Sequence, residues 1–246
     1  MKQFIIFLSI FFFEILKSYQ YPDAQIILKK IDQNFYAETQ KIEGKMIVYG
    51  KRINKEFAFI TYIQGEEKSF TEYLNPPSQR GTKMLKLKEN LWIYSPSSDR
   101  TIQLSGHMLK QSVMGSDVSY EDLMERHKLL EKYHAKVVGE EICENKDCWI
   151  LDLEAKVEDV SYHKIKIWVD KLNYNLIKEE LYAKSGQILK SITFNEYKKI
   201  GNRWYPVRMN YKDILKGGKG TDFIIDKVEF DINIDPYLFT KGVLKK

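Results

Sequence analysis

His163-Lys164-Ile165-Lys166-Ile167-Trp168-Val169 decides the fold class. Aliphatic side chains fall at every second position, so Ile165, Ile167 and Val169 share one face of an extended strand, while Lys164 and Lys166 share the other. Outward from this stretch the same signal repeats. Toward the N-terminus it predicts strands over 42–50, 56–63, 68–74, 82–88, 91–95, 101–105, 136–143 and 148–155. Toward the C-terminus it predicts strands over 176–183, 188–197, 204–211 and 222–231. Turn formers separate them, among them Asn54, Gly65, Asn75-Pro76-Pro77, Asn173, Ser185-Gly186, Gly201-Asn202 and Gly217-Gly218. Short links between successive strands indicate a meandering antiparallel sheet. About a dozen strands is too long for a flat open sheet, so the sheet curls. No internal repeat or low-complexity linker divides the chain, and residues 21–246 are expected to form a single domain.

Two segments break the alternation. In 21–36, Ile27, Ile31 and Phe35 recur every fourth residue beside Leu28, which predicts a helix with Pro22 at its start. Midway, 106–118 is rich in Met, Gly and Ser, and Ser119-Tyr120-Glu121-Asp122 follows as a capping-box pattern. The helix after it is expected to run to about His134, with Tyr120, Leu123, Met124, His127 and Leu130 on one face. Two helical segments across the concave side of a curled sheet would enclose an apolar pocket.

The chain has 246 residues, 43% of them hydrophobic and 30% charged, enough for both a core and a solvated surface. Lys2 followed by the apolar run 4–13 reads as a secretory signal, too short for a membrane span, so residues 1–20 are expected to be cleaved. No cysteine follows that run to carry a lipid anchor. The net charge of +5 is mildly basic, which slightly favours anionic membrane surfaces and lacks the dense basic patches of nucleic-acid binders. Cys143 and Cys148 flank the turn-like Glu144-Asn145-Lys146-Asp147, and an oxidising compartment predicts a disulfide between them, the alternatives being free thiols or a redox or metal pair, although the spacing is not CxxC.

Catalytic and metal signals are weak. His107, Ser116 and Asp117 are the residue types of a triad, but no GxSxG elbow surrounds Ser116. His127, Glu131 and His134 would share one side of a helix without the full zinc-binding motif. Gly217-Gly218-Lys219-Gly220 reads as a hairpin tip, not a phosphate cradle. No catalysis, metal or cofactor is expected. The more informative feature is the crowding of Met108, Leu109, Val113, Met114, Leu123 and Met124 into one non-β stretch, because methionines adapt to varied apolar shapes.

Several stretches resemble the outer-membrane lipoprotein-sorting family, the branch related to the periplasmic lipoprotein carrier. They are Arg80-Gly81-Thr82-Lys83-Met84-Leu85-Lys86-Leu87, Leu91-Trp92-Ile93-Tyr94-Ser95-Pro96, Arg100-Thr101-Ile102-Gln103-Leu104 and above all 112–123, with Trp168-Val169-Asp170-Lys171, Trp204-Tyr205-Pro206 and Leu238-Phe239-Thr240 later. The similarity runs over about 22–244. It implies a mainly β, curled antiparallel half-barrel with helices over an apolar cavity for acyl chains. It also implies a periplasmic carrier of a lipoprotein or lipid, expected to be a monomer, that meets an inner-membrane transporter and an outer-membrane acceptor and no nucleic acid. A ligand-free envelope adaptor and an accessory lipid-binding subunit of a resistance-nodulation type exporter are the alternatives. The candidate cavity and lid residues are Leu85, Leu87, Trp92, Tyr94, Leu104, Met108, Leu109, Val113, Met114, Leu123 and Met124, although parity alone leaves open which strand face points inward. Arg80 and Arg100, near strand ends, are candidates for contact with a head group or partner.

Overall fold

One antiparallel sheet of thirteen strands organises the computed structural model, which describes residues 21–125, 129–158 and 160–245. The first meander comprises β1 (Thr39–Val48), β2 (Lys55–Gln64), β3 (Lys68–Asn75), β4 (Lys83–Leu87), β5 (Asn90–Ser95) and β6 (Arg100–Leu104). The second comprises β7 (Tyr133–Cys143), β8 (Lys146–Ala155), β9 (Lys164–Asp170), β10 (Leu176–Tyr182), β11 (Ile188–Ile200), β12 (Arg203–Asp213) and β13 (Thr221–Phe230). Every expected strand is present, with ends shifted by a few residues.

Within each meander every strand pairs with its neighbours in sequence, and the two meanders are joined by β1 against β13, from Gln40↔Phe230 to Val48↔Thr221. The register slips at Glu43/Gly44, where a Cβ on Gly44 would stand 2.5 Å from the Ile224 carbonyl oxygen. Glycine is required there because two backbones approach too closely for a side chain. First and last strands therefore meet in the middle, and the free edges are β6 and β7. These edges are consecutive in the chain, so residues 105–132 must pass from one to the other. That necessity places the non-β segment over the sheet. The sheet is a curled half-barrel, not a closed barrel.

α1 (Ala24–Phe35) lies on the concave face, with Ile27, Leu28 and Ile31 buried against the sheet. The linking segment, hereafter the strap, contains 3₁₀ turns at Gly106–Lys110 and Val113–Gly115, then α2 (Tyr120–Glu125) and α3 (Leu129–Lys132). The large core gathers α1, the strap and the concave face of both meanders. A second cluster lies on the outer face of β3–β5, where the C-terminal turns Pro236–Phe239 and Lys241–Lys245 cover Phe70, Leu85 and Trp92. Lys83 Nζ donates to the Val243 carbonyl oxygen at 2.9 Å, and Lys241 Nζ stands 4.2 Å from the Trp92 ring centroid.

Three expectations change. The mid-chain helix ends at Lys132, because Tyr133 and His134 already pair with Ala155 and Glu154 as the start of β7. His134 therefore shares no helix face with Glu131, and His127 lies outside the described residues. Cys143 and Cys148 are free thiols, not a disulfide. Glu144 and Asn145, at φ of 50° and 60°, form a two-residue turn, so Cys148 faces Glu141 and is only diagonal to Cys143. Diagonal Cβ atoms stand up to ~7–8 Å apart, against the ~3.8 Å of a disulfide. Finally, Leu85, Leu87, Trp92 and Tyr94 belong to the outer cluster under the C-terminal turns, not to the concave face. The expected secretory leader over 1–20 lies outside the described residues.

Candidate functional site: the covered concave face

α1 is fixed before it can cover anything. Asp23 caps it by accepting from the Gln25 amide at 2.9 Å. At its other end the buried Asn34 donates to the Asn173 carbonyl at 3.4 Å and accepts from the Trp204 amide at 3.1 Å. Arg203 donates to the Tyr36 carbonyl. The helix is therefore held against the β9–β10 and β11–β12 turns.

The strap is fixed at its tip. Ser112 bridges Ser119, so 113–118 forms a small loop with Val113, Ser116, Asp117 and Val118 all buried. Asp117 accepts from Thr221 Oγ1 at 2.7 Å and from the Asp213 amide at 3.0 Å. Lys216 donates to Ser112 Oγ and to the Ser116 carbonyl. Met114 sits at φ 52°, in the left-handed region that costs a non-glycine residue free energy. Beyond the tip the capping box forms as read: the Ser119 amide donates to Asp122 at 2.7 Å and the Asp122 amide to Ser119 Oγ at 3.2 Å. Asp122 also accepts from Tyr162 and Lys190. Ser116 Oγ is spent on Val118, as donor and acceptor, so its hydroxyl is structural.

Beneath these covers lie two apolar chambers of about 210 and 130 Å³. The first is walled by Phe59, Ile63, Met84, Met209, Phe223 and, from the strap, Leu123 and Met124. The second is walled by Ile31, Ile165, Leu176, Leu181, Ile192 and Phe194. Phe35, Tyr211 and Asp122 line both and form the partition. Phe35 packs edge-on to Phe194 at 6.4 Å and Tyr211 to Phe223 at 5.2 Å. A pocket of about 70 Å³ lies under Val113. Polar groups are confined to a few positions. Lys86 donates to the carbonyls of Glu66 and Met124, tying the strap to the β2–β3 turn. The Asp32 carboxyl reaches solvent, yet the apolar walls beside it, and then Glu66, hold it above the ordinary carboxylate range. A wider groove of about 1010 Å³ along the strap carries His107, Leu109, Lys110 and Lys216.

Of the residues expected at the cavity, Leu123 and Met124 line the first chamber and Val113 the pocket under the tip. Leu104 pairs with Leu91 and packs on the concave core. Met114 packs on that core too, Leu109 faces the wider groove, and Met108 is half-buried in neither wall. On β4 and β5 the inward residues are Met84, Lys86 and Leu91, the alternate set to the one expected. Arg80 and Arg100 are exposed at one end of the sheet, Arg80 donating to the Leu74 carbonyl at 3.1 Å, and neither reaches a chamber. Sequence reasoning missed Tyr205, Met209 and Tyr211. Their signal was available: with Val207 they alternate with Arg208, Asn210 and Lys212, which marks the inward face of β12. Among the described residues no group of three metal-ligating side chains occurs, and no helix is long and apolar enough to cross a membrane.

Residues 65–246 match a sequence family described as uncharacterized-protein-like. None of the curated proteins matches the chain. Among solved structures, an outer membrane lipoprotein-sorting protein domain from Vibrio parahaemolyticus superposes with TM-score 0.80 at 23% identity, covering 91% of this chain and 98% of its own. A LolA superfamily protein from Nitrosomonas europaea superposes with TM-score 0.75 at 25% identity, covering 89% and 98%. A DUF1329 family protein from Desulfovibrio piger does so with TM-score 0.80 at 22% identity, covering 90% and 97%.

Proposed function

The chain belongs to the family matched over residues 65–246 and has the lipoprotein-sorting, LolA-superfamily fold, and on that premise we propose that it is a periplasmic carrier that holds acyl chains of a lipid or lipoprotein on its concave face. One observation carries the reading: apolar-lined space of about 210 and 130 Å³ remains between sheet, α1 and strap. Interiors ordinarily close to crystal-like density. Burying an acyl chain there contributes roughly 0.8 kcal/mol per CH₂. Each chamber is smaller than the ~300 Å³ at which small-molecule sites begin. Entry of a chain therefore pushes aside Phe35, Tyr211 or the strap's Leu123 and Met124. The likeness to an outer membrane lipoprotein-sorting domain supports lipoprotein as cargo; an inner-membrane transporter as donor and an outer-membrane acceptor are part of the proposal. The secretory pattern of residues 1–20 supports the periplasm. The binding reading assigns no catalytic step to any residue.

Native mass spectrometry of protein purified without detergent tests it. Adducts that vanish on denaturation and extract as acyl lipids are expected. A bare mass, with no uptake of added fatty acid or acylated peptide, overturns the carrier and favours an adaptor with an unfilled cavity.

A further inference from the structure

Two neighbouring hairpin tips expose what globular surfaces usually hide. Ile53, in the β1–β2 turn, is 76% exposed, and Leu215, in the β12–β13 turn, is 65% exposed. The tips are adjacent because β1 and β13 are paired at their ends: Val48 faces Thr221, and the Tyr49 amide donates to the Gly220 carbonyl at 3.2 Å. Each aliphatic is flanked by exposed cations, Lys51 and Arg52 on the first tip and Lys216 and Lys219 on the second.

The charges are not paired away. Among the described residues no carboxylate bridges Lys51, Arg52 or Lys219. The nearby acids are engaged within the fold: Asp222 with Arg208 at 3.2 Å and Tyr49 at 2.9 Å, and Asp213 with the amides of Leu215 and Lys216. Lys216 is the exception among the cations, being bonded to the strap. Strands alternate in direction, so the β3–β4 and β5–β6 connections reach this same end of the sheet, bringing Arg80 and Arg100 to the same rim.

The geometry points to this rim as a docking edge for an anionic lipid bilayer. Aliphatic tips enter the head-group region while the flanking cations meet phosphates, the arrangement by which a protein lies on a membrane without crossing it. Charge complementarity selects the bilayer: an acidic surface leaflet attracts clustered Lys and Arg, and a hydrophobic protein pocket would not require them. The inference stands apart from the cavity, since the tips line neither apolar chamber.

Sedimentation with vesicles tests it, using phosphatidylcholine alone and phosphatidylcholine with roughly a third phosphatidylglycerol to supply the anionic surface. The protein is expected to bind the anionic vesicles, more weakly as salt rises, and to leave neutral ones unbound. Lys51→Ser/Arg52→Ser/Lys219→Ser should weaken binding by on the order of a hundredfold. Ile53→Ser/Leu215→Ser should weaken it at least about tenfold by removing inserted apolar surface. Both sets are solvent-exposed, so thermal unfolding should stay as in the parent, which checks that folding is intact. No binding to anionic vesicles by the parent protein overturns the proposal, and so does undiminished binding by either well-folded variant, which would place the contact elsewhere.

Discussion

Lys190 of β11 donates its ammonium proton to the Asp122 carboxylate of the strap, and both side chains are 12% exposed. This pair fastens the strap to the sheet at the partition between the two chambers, where Tyr162 also donates to Asp122. Removing one partner strands the other in a dry place. Asp122→Ala should destabilise the protein by about 3–5 kcal/mol, measured by urea unfolding. Asp122→Leu/Lys190→Met removes both charges and should cost clearly less than the two single changes added together.

Met84 and Leu85 are neighbours on β4 with opposite surroundings: Met84 lines the first chamber and Leu85 is buried under the C-terminal turns. Met84→Glu should abolish retention of a fluorescent fatty acid while the far-ultraviolet circular dichroism stays native. Leu85→Ala should retain the fatty acid and lower stability by about 2–5 kcal/mol. Exchange of these two outcomes would reverse the assignment of the faces.

Lys216 holds the strap tip through Ser112 and the Ser116 carbonyl, while Asp117 and Thr221 hold it from the side. Lys216→Met removes the first set and leaves the second. Stopped-flow mixing with a fluorescent fatty acid should then show entry and exit both faster by about two- to tenfold, as expected for the loss of a ~1 kcal/mol hydrogen bond, with affinity little changed. Unaltered rates would show that the tip does not gate the chambers.

Burial drives the Cys148 thiol up to about 11, and Cys143 is raised for the same first reason. The reactive thiolate is therefore scarce at neutral pH. Native protein should resist iodoacetamide at pH 8, and denatured protein should take up two labels. Because the folded state holds a proton that the unfolded chain releases at lower pH, stability should fall as pH rises from the ordinary thiol range toward 11. Rapid labelling of Cys148 in the native state would contradict its burial.

The strands and the starts of the two helical segments were legible because their signals are local. Alternation along β9 and β12, turn formers between runs, and Ser119 three residues before Asp122 act through neighbours in the chain. The inward face of β12 carried a usable signal, since Tyr205, Val207, Met209 and Tyr211 are apolar and their alternates polar, yet it was missed. On β4 and β5 both faces carry large apolar residues, because the concave core takes Met84 and Leu91 while the C-terminal turns cover Leu85 and Trp92. A period of two cannot name the inner face when both are buried. The end of the mid-chain helix was hidden for a related reason: Tyr133 and His134 continue a helical pattern, but pairing with Ala155 and Glu154 satisfies their backbone as strand.

The sequence by itself determined the class of fold, the number of strands within one or two, and the place of the strap. The tertiary structure decided the rest: that β1 closes on β13, that the strap must therefore span β6 to β7, and that the turns carrying Ile53 and Leu215 meet at the same end of the paired strands β1 and β13. Local pattern follows from each residue's own backbone geometry. Partnership between residues more than a hundred positions apart follows from which surfaces the curled sheet brings together, and no periodicity in the chain records that.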